Sequence, residues 1–106
     1  MNNKLTPAII QEDTSGEILM LGYMNALALS KTQETGWVYF WSRKRNALWK
    51  KGETSGNMLK VQEIFEDCDS DALLIKVKLI GTSACHTGNK SCFSKILNQS
   101  LRGSRR

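Results

Sequence analysis

The chain has 106 residues with a formal net charge of +5 at pH 7, and 41% of its residues are hydrophobic, which indicates one globular domain and not a disordered chain. Its apolar stretches, such as residues 73–75, are far shorter than the ~20 residues that cross a bilayer. Because residues 1–4 also lack the apolar segment of a secretory signal, we expect a cytoplasmic protein that does not contact membranes.

Hydrophobic periodicity predicts a strand-rich, single-domain α+β fold with one or two short helices. Apolar runs at residues 8–12 and 17–23 flank residues 13–16, whose sequence Asp-Thr-Ser-Gly is typical of a hairpin turn. After this hairpin, Asn25 is placed to cap a short helix and Gly36 to end it.

The chain after Gly36 is predicted to be mostly extended. Residues 37–42 and 47–50 are expected to be two strands around an Arg-Lys-Arg-Asn connection, and residues 58–66 a third. Apolar residues alternate with lysines in residues 73–79, the period of a half-buried strand. A second short helix is expected at residues 91–98.

The positive charge is concentrated in one segment. Residues 43–60 contain six basic side chains and one acidic side chain, whereas three aspartates lie close together in residues 67–71. A basic segment and an acidic cluster in one small domain indicate an anionic substrate beside a metal ion. Residues 95–106 are basic and are expected to form a disordered tail on a domain that comprises residues 1–94.

The acidic segment DCDSD, residues 67–71, favours a hard cation such as Mg²⁺. Asp67, Asp69 and Asp71 stand at every second position, so a cation would offset the repulsion among their carboxylates. An EF-hand is excluded, because its sixth position is Ala72 instead of Gly and its twelfth is Lys78 instead of Glu. On this motif alone, an acidic turn before a strand is an equally good explanation.

Three cysteines cannot all form disulfide bonds within one chain. Unpaired thiols are more often metal ligands or nucleophiles, so the three cysteines indicate a metal site. Cys68, Cys85 and Cys92 form no C-x-x-C motif, which makes a zinc finger or ribbon a poor fit. Three thiolates without an obvious fourth ligand leave one zinc position for water, as in catalytic zinc sites. The alternative is three unlinked thiols packed as small hydrophobic residues. His86, the only histidine, is a candidate fourth ligand, general base or structural residue, and we favour the base.

The segment around residues 41–57 is the candidate substrate-binding region. Arginine donates bidentate hydrogen bonds to phosphate, and the Thr-Ser-Gly-Asn run offers hydroxyls and a turn whose N–H groups can hold an anion. The candidate residues are Trp41, Ser42, Arg43, Arg45, Thr54, Ser55, Gly56 and Asn57. Trp41 and Trp49 could stack on a base, although aromatic residues on strands are more often part of the core.

Basic residues interleaved with aromatic residues are also typical of nucleic-acid binding, so a non-enzymatic, metal-stabilised nucleic-acid-binding module is the second hypothesis. No recognised nucleic-acid module is present, and such a module would give no purpose to the aspartate and cysteine clusters. We therefore expect an enzyme that acts on a small molecule and has no nucleic-acid partner.

Four segments in this order resemble the phosphoribosyl-AMP cyclohydrolases of histidine biosynthesis. They are FWSRKR at residues 40–45, LWKKGETSGN at 48–57, DCDSDALL at 67–74 and ACHTGNKSCF at 84–93. The resemblance extends over about residues 6–93. It implies hydrolysis of the N1–C6 bond of 1-(5-phosphoribosyl)-AMP, which opens the adenine ring in the third step of the pathway. It also implies a zinc enzyme that requires Mg²⁺ and acts as an obligate homodimer with active sites shared between its subunits.

The same resemblance implies roles for single residues. Cys68 of one subunit and Cys85 and Cys92 of its partner would bind zinc. The Mg²⁺ ligands would be Asp67, Asp69 and Asp71, and His86 would help to activate water. Many relatives continue into a phosphoribosyl-ATP pyrophosphatase domain, which is not expected here because few residues follow residue 93.

Overall fold

Six strands and one helix make up residues 4–98, the part of the chain that the computed structural model describes. Their bounds are β1 (Thr6–Glu12), β2 (Ile18–Met24), α1 (Ala26–Thr35), β3 (Tyr39–Ser42), β4 (Ala47–Lys50), β5 (Met58–Glu66) and β6 (Leu73–Ile80). The strand-rich α+β prediction is confirmed. Residues 95–98 contain no helix or strand, and residues 99–106 of the predicted tail lie outside the described part of the chain.

Four of the strands form one sheet in the order β2-β1-β6-β5. β1 pairs antiparallel with β2 and parallel with β6, and β6 pairs antiparallel with β5. The β3–β4 hairpin forms a separate two-stranded sheet, which is joined to β5 by a bridge between Trp37 and Lys60. Because β5 and β6 form a hairpin, the chain before β5 and the chain after β6 lie at the same end of the sheet.

Helix α1 begins and ends at the two residues that the sequence predicts. The side chain of Asn25 accepts a hydrogen bond from the N–H of Ala28 at 2.9 Å. At the other end, Gly36 adopts a left-handed φ of 80° and its N–H donates to the carbonyl of Thr32, as in a glycine-terminated helix. The buried hydroxyl of Thr32 donates to the carbonyl of Ala28 and accepts from the N–H of Tyr39, which connects the helix to β3.

The expected second helix at residues 91–98 is wrong, because this segment has no helical turn. The polar groups at the start of this segment form hydrogen bonds with the sheet instead. The Ser91 hydroxyl donates to the carbonyl of Ile18 at 2.7 Å, and the N–H of Cys92 donates to the carbonyl of Leu19 at 2.7 Å. These bonds attach the segment to β2 in place of the i to i−4 bonds of a helix.

The hydrophobic core lies between the four-stranded sheet, the helix and the β3–β4 hairpin. Its largest fully buried side chains include Phe40, Ile10, Leu19, Leu59 and Ile75. In β6, Leu73, Ile75 and Val77 are buried while Lys78 is exposed, which confirms the predicted alternation. No helix in residues 4–98 is long and apolar enough to span a membrane.

Strand β6 separates the two segments that the sequence marks for metal binding. Residues 67–71 precede its first residue, and Cys85 and Cys92 follow its last residue. Eight residues of strand span about 25 Å at about 3.3 Å per residue. The acidic segment and the residues directly after β6 therefore lie at opposite ends of the same sheet.

Candidate active site

A cavity of about 470 Å³ lies at the end of the sheet where β5 begins and β6 ends. One wall comes from the β3–β4 connection, β4 and the residues before β5, and the other wall comes from the residues after β6. Its lining includes Arg45, Trp49, Lys50, Lys51, Thr54, Ser55, Asn57, Thr82, Ser83, Cys85 and His86. The cavity thus brings cationic and hydroxyl side chains against a thiol and the imidazole.

The first wall contains a turn that we call the basic loop, residues 50–57. Gly52 and Gly56 have φ values of 90° and 81°, which glycine adopts without strain, and the N–H of Gly56 donates to the carbonyl of Gly52 at 2.8 Å. The carboxylate of Glu53 accepts from the N–H of Lys50 at 3.1 Å, and the hydroxyl of Ser55 accepts from the N–H of Asn57 at 3.1 Å. The loop is therefore shaped by its own hydrogen bonds, and it presents Thr54 and Ser55 to the cavity.

The second wall is the cysteine loop, residues 81–93. Its two arms are joined because the N–H of Ala84 donates to the carbonyl of Lys90 at 3.0 Å and the N–H of Cys85 donates to the carbonyl of Asn89 at 3.2 Å. The hydroxyl of Ser83 lies 2.7 Å from the carbonyl oxygens of both Cys85 and Asn89. This closed turn places Cys85 half-buried and His86 exposed at the cavity wall.

The cysteine loop is anchored to the β1–β2 hairpin through charge as well as through the backbone. The ammonium group of Lys90 lies 2.7 Å from a carboxylate oxygen of Glu12 and 3.3 Å from one of Glu17. The hydrogen bond from Lys90 lowers the pKa of Glu12, and the two carboxylates raise the pKa of Lys90. Together with the bonds from Ser91 and Cys92 to β2, this ion pair fixes the second arm of the loop.

The two thiols of the cysteine loop lie close enough that each alters the other's pKa. The sulfur of Cys85 is 3.0 Å from the hydroxyl of Thr87. Hydrogen bonds from the Thr87 hydroxyl and backbone lower the pKa of Cys85, whereas desolvation raises the pKa of Cys92. A lower pKa favours the thiolate, which is the form that binds zinc.

The acidic turn, residues 67–71, brings its three aspartates together. Ligand oxygens of Asp67, Asp69 and Asp71 all lie within 4.8 Å of one another, and these side chains are exposed. A carboxylate oxygen of Asp67 accepts from the N–H groups of Asp71 and Ala72 at 2.9 and 3.3 Å. Hydrogen bonding with Asp71 lowers the pKa of Asp67, and the neighbouring carboxylates raise the pKa of Asp71. Clustered carboxylates of this kind suit Mg²⁺.

Cys68 stays with the acidic turn, where it is exposed, and does not join the other two thiols. Within residues 4–98, the aspartates are the one group of three or more His, Cys, Asp or Glu side chains that could share a metal ion. One copy of the chain therefore offers two neighbouring thiols in the loop after β6 and the third in the turn before β6.

Four candidate substrate-binding residues lie outside the cavity lining: Trp41, Ser42, Arg43 and Gly56. Trp41 is half-buried against the core, as expected for an aromatic residue on a strand. The hydroxyl of Ser42 accepts from the N–H of Arg45 at 3.1 Å, and the guanidinium of Arg43 stands 5.4 Å from the ring centre of Tyr23. Of the two predicted arginines, Arg45 alone lines the cavity.

Lys50 and Lys51, which belong to the predicted basic segment, also line the cavity, and so do Thr82 and Ser83, which the sequence analysis did not single out. The order of the predicted strands could have shown that these residues lie beside one another. If β5 and β6 pair as a hairpin around the acidic turn, the residues just before β5 must lie beside those just after β6, as the pairing of Met58 with Ile80 does here.

Comparison with known proteins identifies the family. The family model for phosphoribosyl-AMP cyclohydrolase matches residues 20–94, which include both walls of the cavity and the acidic turn. The chain belongs to the phosphoribosyl-AMP cyclohydrolase family. It is therefore a hydrolase, which decides against the non-enzymatic alternative.

Curated relatives with this name are similar over most of their length. The chain is 56% identical to the protein of Listeria innocua, over 90% of each chain. It is 55% identical to that of Methanothrix thermoacetophila, over 96% of this chain and 84% of the relative. Similarity to the protein of Desulfotalea psychrophila is 53% identity over 90% of this chain and 75% of the relative.

Proposed function

We propose that the chain hydrolyses the N1–C6 bond of 1-(5-phosphoribosyl)-AMP in the cytoplasm, the third step of histidine biosynthesis, with zinc and Mg²⁺ as cofactors. The observation that carries the proposal is that Cys85 and His86 face the basic loop across one cavity. Its volume of about 470 Å³ lies within the range of small-molecule sites, about 300–1,000 Å³.

The basic loop and Arg45 are the proposed phosphate-binding wall. The substrate carries two phosphate groups, and the cavity offers cationic side chains from Arg45, Lys50 and Lys51 that neutralise such charge. The hydroxyls of Thr54 and Ser55 add hydrogen bonds at the same wall. Trp49 contributes an aromatic surface beside them, although its ring also packs on Phe40 at a centroid distance of 5.2 Å.

In the reaction, a water oxygen bonds to C6 and the C6–N1 bond breaks. Of the two water protons, one goes to N1 and the other to the exocyclic nitrogen on C6, which leaves a carboxamide. His86 is the proposed proton carrier, because it lies exposed in the cavity wall directly after Cys85 and an imidazole exchanges protons near neutral pH. Cys68, Cys85 and Cys92 would hold the zinc ion, which supplies the activation of water at neutral pH when bound. Asp67, Asp69 and Asp71 would hold Mg²⁺ near the same substrate.

The position of the third thiol supports the proposed homodimer. Within residues 4–98 the ligand atoms of Cys68, Cys85 and Cys92 do not all lie within 4.8 Å of one another, so the three can meet at one ion when a second copy supplies Cys68. In a two-fold symmetric dimer this exchange is reciprocal, and two equivalent composite sites result. Each would combine the cavity of one subunit with the acidic turn of the other.

Exposed apolar side chains support association of two copies. Leu21 and Tyr23 on β2 are each 40% exposed, and Phe93 in the cysteine loop is 64% exposed. Large apolar side chains grouped at the surface of a small domain are typical of interfaces. Phe93 stands directly beside Cys92, where the composite site would require the partner.

Turnover of phosphoribosyl-AMP, followed by ultraviolet absorbance, tests the proposed function. We expect activity in the zinc-loaded protein with Mg²⁺. Turnover in Cys85→Ala should be at least about a hundredfold lower, because one of the proposed zinc ligands is removed. Ser94→Ala is the matched control, since its hydroxyl contacts Asn89 and not a thiol. Undiminished turnover in Cys85→Ala would exclude the proposed zinc role.

A further inference from the structure

The side chain of Asn57 connects the two walls of the cavity. Its amide oxygen accepts a hydrogen bond from the backbone N–H of Thr82 at 3.1 Å, across a separation of 25 residues. Both residues line the cavity, Asn57 in the basic loop and Thr82 in the cysteine loop. Cys85 and His86 follow Thr82 within four positions, so the bond is made close to the proposed reactive groups.

Two glycines make room for Asn57 on opposite sides. A Cβ placed on Gly81, whose φ is 115°, would overlap the amide oxygen of Asn57. A Cβ placed on Gly52, whose φ is 90°, would overlap the carbonyl group of Asn57. The hydroxyl of Ser55 accepts the N–H of Asn57 as well. Backbone and side chain of this one residue are thus both fixed where the basic loop and the cysteine loop touch.

The sequence predicts Asn57 as a substrate-binding residue, whereas in the structure its side chain bonds to Thr82. An N–H donor is met by the oxygen of an amide and not by its nitrogen, so the amide oxygen of Asn57 is turned toward the backbone of Thr82. Loss of this oxygen would remove a hydrogen bond that joins the two walls of the cavity.

We infer that Asn57 is a positioning residue, which sets the distance of the cysteine loop from the basic loop and thereby aligns Cys85 and His86 with a substrate held by the phosphate-binding wall. The inference rests on the proposed function for its effect on turnover. Its structural part, the bond between Asn57 and Thr82, is independent of which reaction the site catalyses.

Hydrogen–deuterium exchange at the Thr82 amide tests the structural part without substrate. We expect exchange to accelerate at least about tenfold in Asn57→Ala, because the acceptor is lost, and to change less than about threefold in Asn57→Asp, which keeps an oxygen at the same place. The matched control is Asn25→Ala, which removes an asparagine hydrogen bond of similar length at the cap of α1 and should leave Thr82 unaffected. Unchanged exchange at Thr82 in Asn57→Ala would overturn the inference.

Steady-state kinetics then separate positioning from substrate contact. If Asn57 positions the loop, Asn57→Ala lowers kcat at least about tenfold with a smaller change in KM, since the reacting groups are misaligned in the bound complex. Asn57→Asp keeps kcat within about threefold and raises KM, because a carboxylate repels the phosphates. A rise in KM with unchanged kcat in Asn57→Ala would instead make Asn57 a substrate ligand and refute the positioning role.

A double-mutant cycle with Gly81→Ala tests the contact with Asn57 from its other side. Gly81→Ala introduces a Cβ that overlaps the Asn57 oxygen, and it also strains the backbone at φ 115°. The strain is present in both backgrounds and cancels in a double-mutant cycle. We expect Gly81→Ala to accelerate Thr82 exchange less in Asn57→Ala than in the unmodified protein, and strictly additive effects would contradict the contact. If unmodified protein shows no turnover, the proposed function fails while the exchange result still decides the role of Asn57.

Discussion

The acidic turn and the cysteine loop both carry candidate metal ligands, but they are held in place by different kinds of contact. The acidic turn is stabilised within itself, by bonds from Asp67 to the N–H groups of Asp71 and Ala72. The cysteine loop depends on distant partners, because Lys90 pairs with Glu12 and Cys92 bonds to β2. The shape of the acidic turn therefore depends on neighbouring residues, whereas the position of the thiol pair depends on the rest of the fold.

The first substitution to test this difference between the two ligand groups lies in the acidic turn, where we expect the largest effect on activity. Asp69→Asn removes one charge while leaving the Asp67 hydrogen bonds that shape the turn. We expect the Mg²⁺ concentration for half-maximal turnover to rise at least about tenfold, since a carboxylate ligand binds the ion more strongly than an amide. Thermal unfolding should be unchanged, because the side chain is exposed.

Asp13→Asn is the control for this substitution, as it removes one exposed aspartate at the opposite end of the sheet. It should leave the Mg²⁺ requirement as it is in the unmodified protein. Equal Mg²⁺ requirements in Asp69→Asn and the unmodified protein would argue against metal binding at the acidic turn.

The anchoring of the cysteine loop can be broken at Lys90. Lys90→Met removes the ammonium group that joins Glu12 and Glu17 but keeps an unbranched side chain. We expect amide exchange to rise several-fold at Ala84 and Cys92 and zinc to dissociate several-fold faster, because the loop loses one of its distant attachments. Lys78→Met, at an exposed position of β6, is the control, and equal zinc dissociation in the two variants would count against this role.

The smallest effect is the pH dependence of the same ion pair. Because the pKa of Glu12 is lowered in the folded state, its contribution is complete above its usual value of 4.5 and disappears as the pH falls through the lowered value. The pKa of Lys90 is raised above 10.5, so the contribution is lost again as the pH rises through that raised value.

The difference in unfolding free energy between Lys90→Met and the unmodified protein should therefore be greatest between these limits and should shrink in acid. Urea unfolding at a series of pH values measures it, and the difference should remain small because the Lys90 side chain is exposed to water. A difference that is as large at pH 3 as at pH 7 would mean that Lys90 acts by another contact.

The features that the sequence predicted correctly depend on neighbours along the chain. Asn25 and Gly36 end the helix through bonds to residues three and four positions away, and the acidic turn is closed by bonds within six residues. Propensity and spacing report such local contacts directly.

The features that escaped prediction depend on tertiary contacts. Residues 91–98 were expected to be helical, but Ser91 and Cys92 are bonded to β2, more than 70 residues away. Arg43 and Arg45 are the same residue type in the same short segment, so the sequence does not distinguish them. In the structure Arg43 stands over the ring of Tyr23, whereas Arg45 lines the cavity. The meeting of the basic loop with the cysteine loop follows from the register of β5 and β6, which composition does not reveal.

Mixing two inactive variants tests the shared zinc site most directly. Cys68→Ala and Cys85→Ala are each expected to be inactive, but a heterodimer of the two contains one site in which all three cysteines are intact. After unfolding and refolding together in equal amounts with zinc, half of the dimers should be mixed, and activity should return to about a quarter of the unmodified level.

The control is a mixture of Cys85→Ala with Cys92→Ala. These lie on the same loop, so every site in every dimer lacks a ligand and the activity should stay at the level of the separate variants. Recovery in the first mixture and none in the second is the predicted result. Absence of recovery in the first mixture, with dimers demonstrably exchanged, would contradict a zinc site built from two subunits.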